Sequence, residues 1–155
     1  MSEKINNGVE SISELLQRRI VVGDAAVGTA LVGTRRDLCP DTLSITEPEK
    51  VVALHEAAIN AGAKLITSNT FLADPLMLKE CGVEYSTEQI VEAAIKAIRT
   101  AQERSGRNIF IAGSIGPSVR NITLAIDLDE ATLRESYRTL IAALAREGVD
   151  IFLIE

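Results

Sequence analysis

A chain of 155 residues, 46% hydrophobic and 25% charged, can bury a core, and a net charge of −6 without a basic run leaves no footprint for nucleic acid or an anionic membrane. No apolar stretch approaches the roughly 20 residues of a membrane span, the start lacks an apolar signal core, and Cys39 and Cys81 alone make no disulfide framework, so a cytoplasmic location is expected. Aromatic residues make up only 3%, which excludes a rich stacking surface and predicts an aliphatic core.

Residues 1–11 read as a flexible N-terminal tail and Ile12 to Arg19 as a short leading helix. A first apolar run, Ile20-Val21-Val22-Gly23-Asp24, follows. Thr46-Glu47-Pro48-Glu49 has the pattern of a capping box with Pro in the first turn, and Val51, Leu54, Ala58 and Ile59 continue at helical spacing up to Ala61-Gly62. The second run is Leu65-Ile66-Thr67-Ser68-Asn69. Ser86 with Gln89 opens the next helix, whose stripe is Ile90, Ala94, Ala97 and Ala101 and whose stop is Ser105-Gly106. The third run spans Ile109 to Ser114. Asp127 with Glu130 opens a further helix, with Leu133, Tyr137, Leu140, Ile141 and Leu144 expected inward before Glu147-Gly148, and the last run is Ile151-Phe152-Leu153-Ile154-Glu155.

The four runs begin at 20, 65, 109 and 151, with a helix between each pair. Apolar on both faces rather than alternating, they predict parallel strands covered on both sides. A doubly wound sheet and a (β/α) barrel both accommodate this order; repeats of near-constant length favour the barrel. A full (β/α)8 TIM-type barrel needs about 250 residues, so the expectation is its first four βα units, a half barrel over residues 12–155. An open flavodoxin-like sheet binding a nucleotide is the weaker reading, because no G-x-G-x-x-G or G-K-[ST] follows the first strand.

In either architecture ligands gather where strands end at their carboxyl side, because the loops diverge there and helix N-termini point N–H groups inward. Those ends carry Asp24, Ser68-Asn69-Thr70, Ser114 and Glu155. A carboxylate pair such as Asp24 and Glu155 suits a substrate ammonium, since a cation between two acids keeps both ionised. Asp24 is equally compatible with a helix cap, and Glu155 with an exposed end. The segment Gly113 to Ser118 could turn N–H groups toward an anion or simply form a tight turn, and Asn69 and Thr70 could be fixing their own loop. His55, the sole histidine, sits on the apolar side of a helix and is assigned no chemistry. Neither cysteine has a second Cys or His at ligand spacing, so no metal site is expected from these residues.

The ordered series Val22-Gly23-Asp24-Ala25-Ala26-Val27-Gly28-Thr29, Cys39-Pro40-Asp41, Thr46-Glu47-Pro48-Glu49, His55, Ala61-Gly62-Ala63, Thr67-Ser68-Asn69-Thr70-Phe71 and Ala112-Gly113-Ser114-Ile115-Gly116-Pro117, closed by Gly148-Val149-Asp150 and Ile154-Glu155, resembles the homocysteine S-methyltransferase family. That family includes the substrate domain of cobalamin-dependent methionine synthase and betaine–homocysteine methyltransferase. The resemblance implies a barrel that binds homocysteine at its carboxyl rim, with the thiol held as a zinc thiolate that attacks an activated methyl group to give methionine. It implies that Asp24 and Glu155 hold the substrate amino group, that Gly28, Thr29, Asn69 and Thr70 are rim residues, and that Ser114 lies near the substrate.

Two departures accompany it. Ala25 stands where the family usually has Gly after the Asp. The family's three zinc cysteines lie in the second half of the barrel and have no counterpart here, so zinc, and cobalamin or folate as methyl source, are expected to be handled elsewhere. The implied activity is therefore that of a methyltransferase whose first half supplies homocysteine-binding residues and is inactive alone, with a homodimer or a complementary half-barrel as partner. The alternative is a catalytically inactive half-barrel that oligomerises as a scaffold or binding module.

Overall fold

The computed structural model describes residues 11–24, 26–33, 38–118 and 129–155. Ser11 opens helix α1 (Ile12–Arg18) with a true capping box: its hydroxyl accepts from Glu14 N–H while the Glu14 carboxylate accepts from Ser11 N–H. Ser11 thus belongs to the helix and not to a tail. The rest of the expected tail lies outside the described residues.

Among the described residues the sheet is parallel and three-stranded, in the order β1 (Leu65–Thr67), β2 (Phe110–Ile115), β3 (Ile151–Ile154). The expected first strand is only partly realised. Gly23 bridges Leu65 in parallel, Lys64 and Leu65 N–H both donate to Val22 O, and Asp24 N–H donates to Leu65 O at 3.0 Å, but no full strand forms. Among the described residues the segment has a neighbour on one side only, and Ile20 and Val22 are 91% and 60% exposed.

The connecting helices explain the core. α4 (Pro48–Ala61) and α6 (Thr87–Ser105) pack extensively on each other and, with α7 (Glu130–Arg146), cover one face of the sheet. The α6 stripe Ile90, Ala94, Ala97 and Ala101 is buried as its spacing predicts, and Ser86 and Gln89 form the expected capping box. Ile66 and Ile111 lie in register on the helix side, where Gly113 lets α7 approach: a Cβ there would meet the Leu144 methyls at 3.1 Å.

Several local expectations are corrected. No capping box opens α4, because Thr46 closes a short helix of its own, α3 (Leu43–Thr46), and donates back to Thr42 O; Pro48 at the first turn suffices to start α4. Asp127 lies outside the described residues, and the residue that caps α7 is Asp129, accepting from Thr132 N–H at 2.9 Å. On α7 the inward face takes Ser136, Leu140, Ala143 and Leu144, leaving Ile141 40% exposed. β3 is not covered on both faces either: Phe152 and Ile154, in register with Gly113 and Ile115, are 45% and 82% exposed. Two further short helices, α2 (Val27–Val32) and α5 (Pro75–Glu80), and a 3-10 turn at Pro40–Thr42 went unread, being too short to show a period.

Candidate functional site

Thr67, Ser114 and Leu153 sit on the sheet face turned away from the helices, at the carboxyl ends of the strands. α2 and the 3-10 turn close over them, leaving a cavity of about 590 Å³. Asp24, Gly28, Thr29, Asn69, Ser114 and Glu155 all line it; Thr70 does not.

The position of Asp24 follows from the backbone. Its N–H continues the pairing with Leu65, and its Oδ1 accepts from Thr67 N–H at 2.9 Å, so the carboxylate substitutes for the next carbonyl of a strand. It does not cap α2, whose N-cap is Ala26 without a side-chain bond. Burial raises the Asp24 pKa above the usual carboxylate range despite the Thr67 bond, and the nearby Glu155 charge pushes the same way. Asp24 and Glu155 thus line one cavity.

Glu155 is oriented by Ser114, whose hydroxyl donates to Glu155 Oε1 at 2.7 Å. Ser114 is fixed in turn: its N–H donates to Ser68 Oγ at 3.0 Å and its carbonyl accepts from Thr70 Oγ1 at 2.8 Å, with Ser68 and Thr70 hydroxyls 2.7 Å apart. Thr70 thus holds the β2 end from behind the cavity wall. Asn69 ties the 3-10 turn to β1, its Nδ2 donating to Pro40 O at 2.8 Å and Ser44 Oγ at 3.1 Å, which uses both of its amide hydrogens. Gly28 admits Pro40, whose Cγ lies 3.3 Å from where a Cβ would stand.

Of the two readings left open for Gly113 to Ser118, the anion-binding one is not favoured, because Gly113 and Ser114 belong to β2 and the Ser114 N–H already donates to Ser68 Oγ. Ala25 lies outside the described residues.

A family profile described as homocysteine S-methyltransferase matches residues 21–155. The chain belongs to the homocysteine S-methyltransferase family. Its fold is similar to two crystal structures of the homocysteine methyltransferase MmuM from Escherichia coli, a metallated form (TM-score 0.70, 18% identity over 91% of this chain) and an oxidized form (TM-score 0.69, 20% identity over 89%). It spans 55% and 53% of those chains, about half their length. The mixed α/β fold of this homocysteine S-methyltransferase family member thus resembles part of a homocysteine methyltransferase barrel, and no helix among its described residues is long and apolar enough to cross a membrane.

Three features of this family member's site escaped the sequence reading. Phe71 and Leu153 give the cavity an apolar wall; Leu153 was legible, since it stands two residues before Glu155 and strand alternation puts both on one face. Gly116 is required behind Phe71, as a Cβ there would overlap the Phe71 carbonyl and approach its ring at 2.9 Å. His55, fully buried on α4, aims Nδ1 at Asp24 Oδ2 across 3.9 Å, and nothing in a helical period reveals that. Burial pushes its pKa down to about 4, so the imidazole is neutral near pH 7.

Proposed function

We propose that this chain supplies the amino-acid-binding part of a homocysteine S-methyltransferase, holding the substrate ammonium between Asp24 and Glu155. The observation that carries the reading is that both carboxylates line one cavity and that the charge of Glu155 adds to burial in raising the Asp24 pKa. An ammonium placed between them offsets both the cost of burying the Asp24 charge and its repulsion by Glu155, which a neutral ligand cannot do. Ser114 sets the direction of Glu155, Thr67 that of Asp24, and Phe71 and Leu153 offer an apolar surface to the methylenes and sulfur. Gly28, Thr29 and Asn69 shape the wall, with Thr70 behind it.

The residues described here do not fit a zinc ion. Among them no group of three His, Cys, Asp or Glu side chains could hold a metal. Burial, with the Asp41 charge, pushes the Cys39 thiol up to about 12, the opposite of what a thiolate ligand needs. In this reading the metal donors and the handling of the methyl donor, cobalamin or folate included, belong to the rest of the barrel. The chain's own part is to bind and orient the amino acid so that its sulfur, as thiolate, can attack a methyl group.

Exposed Ile20 and Val22 at one side of the sheet, and Phe152 and Ile154 at the other, favour a partner. We propose a half barrel completed by a complementary half or by a second copy. If a second copy serves, sedimentation at increasing concentration shows a dimer; a monomer at all concentrations removes that option.

Calorimetric titration with L-homocysteine and with 4-sulfanylbutanoate, which lacks the amine, tests the site. We expect homocysteine to bind at least tenfold more tightly, and Asp24→Asn and Glu155→Gln each to erase the difference. Equal affinity for the two ligands would overturn the reading.

A further inference from the structure

Asp24 has two carboxylate oxygens, and Thr67 accounts for one of them. The other, Oδ2, faces the Nδ1 of His55 at 3.9 Å, beyond hydrogen-bond range. Among the described residues both imidazole nitrogens of His55 are buried without a hydrogen-bond partner, although the side chain is enclosed by the core. Orphaned nitrogens in a core are destabilising, and a shift of about 1 Å would satisfy one of them on the oxygen it already faces.

We propose that His55 is the positioning residue for Asp24: as the Nδ1–H tautomer it closes onto Oδ2 when that carboxylate holds a cation in the cavity, fixing both oxygens against the ligand. This rests on Asp24 as an ammonium-binding acid, but extends it to a residue outside the cavity. The bond would be charge-assisted, because the acceptor is an ionised carboxylate in a poorly solvated place. Thr67 then holds one oxygen and His55 the other, so the carboxylate cannot rotate away from its ligand. His55 takes no proton in this role and touches no substrate.

With one histidine in the chain, proton–nitrogen NMR reads a single imidazole. In the wild-type chain we expect the proton on Nδ1, and a downfield shift of that proton on adding L-homocysteine. A dominant Nε2–H tautomer, or an Nδ1 proton unmoved by bound homocysteine, overturns the proposal. Variants give the second arm. His55→Asn places a donor near Nδ1 and should keep homocysteine affinity within about threefold, whereas His55→Leu should lose about tenfold. Equal losses in both would mean that packing, not the donor, matters, and would also overturn it. If wild type binds no homocysteine, the amino-acid-binding reading falls, and the tautomer alone then decides whether His55 is held toward Asp24.

Discussion

The Ser114 hydroxyl donates to Glu155 Oε1 at 2.7 Å from a residue whose N–H and carbonyl are both held by side chains at the end of β1. Glu155, which lines the cavity, is thus held by a serine whose backbone is fixed on both sides. Ser114→Ala should weaken homocysteine binding about 10–100-fold, the worth of one hydrogen bond to a charged group, with an unchanged circular dichroism spectrum. Unaltered affinity in calorimetry would mean that Glu155 needs no such support.

Gly116 is occupied from behind by Phe71. Gly116→Ala would press a methyl onto the Phe71 carbonyl and ring, where backbone cannot yield, so we expect a loss of about 1–3 kcal/mol in urea denaturation. Because Phe71 lines the cavity, homocysteine affinity should fall with it. A variant as stable as wild type would show that the Phe71 segment repacks freely.

Ala26 has φ 49° and ψ 44°, a left-handed conformation that its Cβ disfavours. Relief of that strain in Ala26→Gly opposes the larger entropy a glycine gives the unfolded chain, and the strain is the larger of the two. The expected result is a rise in Tm of about 1–3 °C. A fall in Tm would mean that the backbone there is not strained.

Asp41 is wholly buried, with Oδ2 accepting from Leu72 N–H at 2.7 Å and Oδ1 unpartnered. Burial, opposed by that bond and aided by the Asp74 charge, pushes its pKa up from 3.8 to about 7. The fold therefore holds a proton that the unfolded chain has released, and stability falls as pH rises from about 4 to about 7. His55 acts in the other direction: the unfolded chain takes up its proton near pH 6.5 and the fold does not until about 4, so stability falls as pH drops through that window. The two slopes offset each other in wild type. Asp41→Asn should expose the acid-side loss, visible as a steeper fall in unfolding free energy from pH 6.5 to 4.5; an unchanged slope would mean that Asp41 is ionised throughout.

The helices α4, α6 and α7 were legible because each buries one stripe over at least 14 residues, long enough for the period to stand out. The strand ends were legible too, and six of the seven expected site residues line the cavity they imply. Thr70 does not line the cavity: its motif neighbours the rim, while its hydroxyl donates to Ser114 O. The segment at Ile20 to Asp24 has a strand's composition but lacks a second neighbour among the described residues, and pairing depends on neighbours that composition does not reveal.

Local order along the chain thus determined the alternation of helix and strand, the parallel sheet and the family, since these depend on spacing within one segment or on motifs in series. Only the tertiary structure decided that His55 stands behind Asp24, that Ser114 aims Glu155 and that Gly116 must yield to Phe71. Each of those pairs is separated by at least 31 positions and meets through packing of different elements, so no short-range period encodes it.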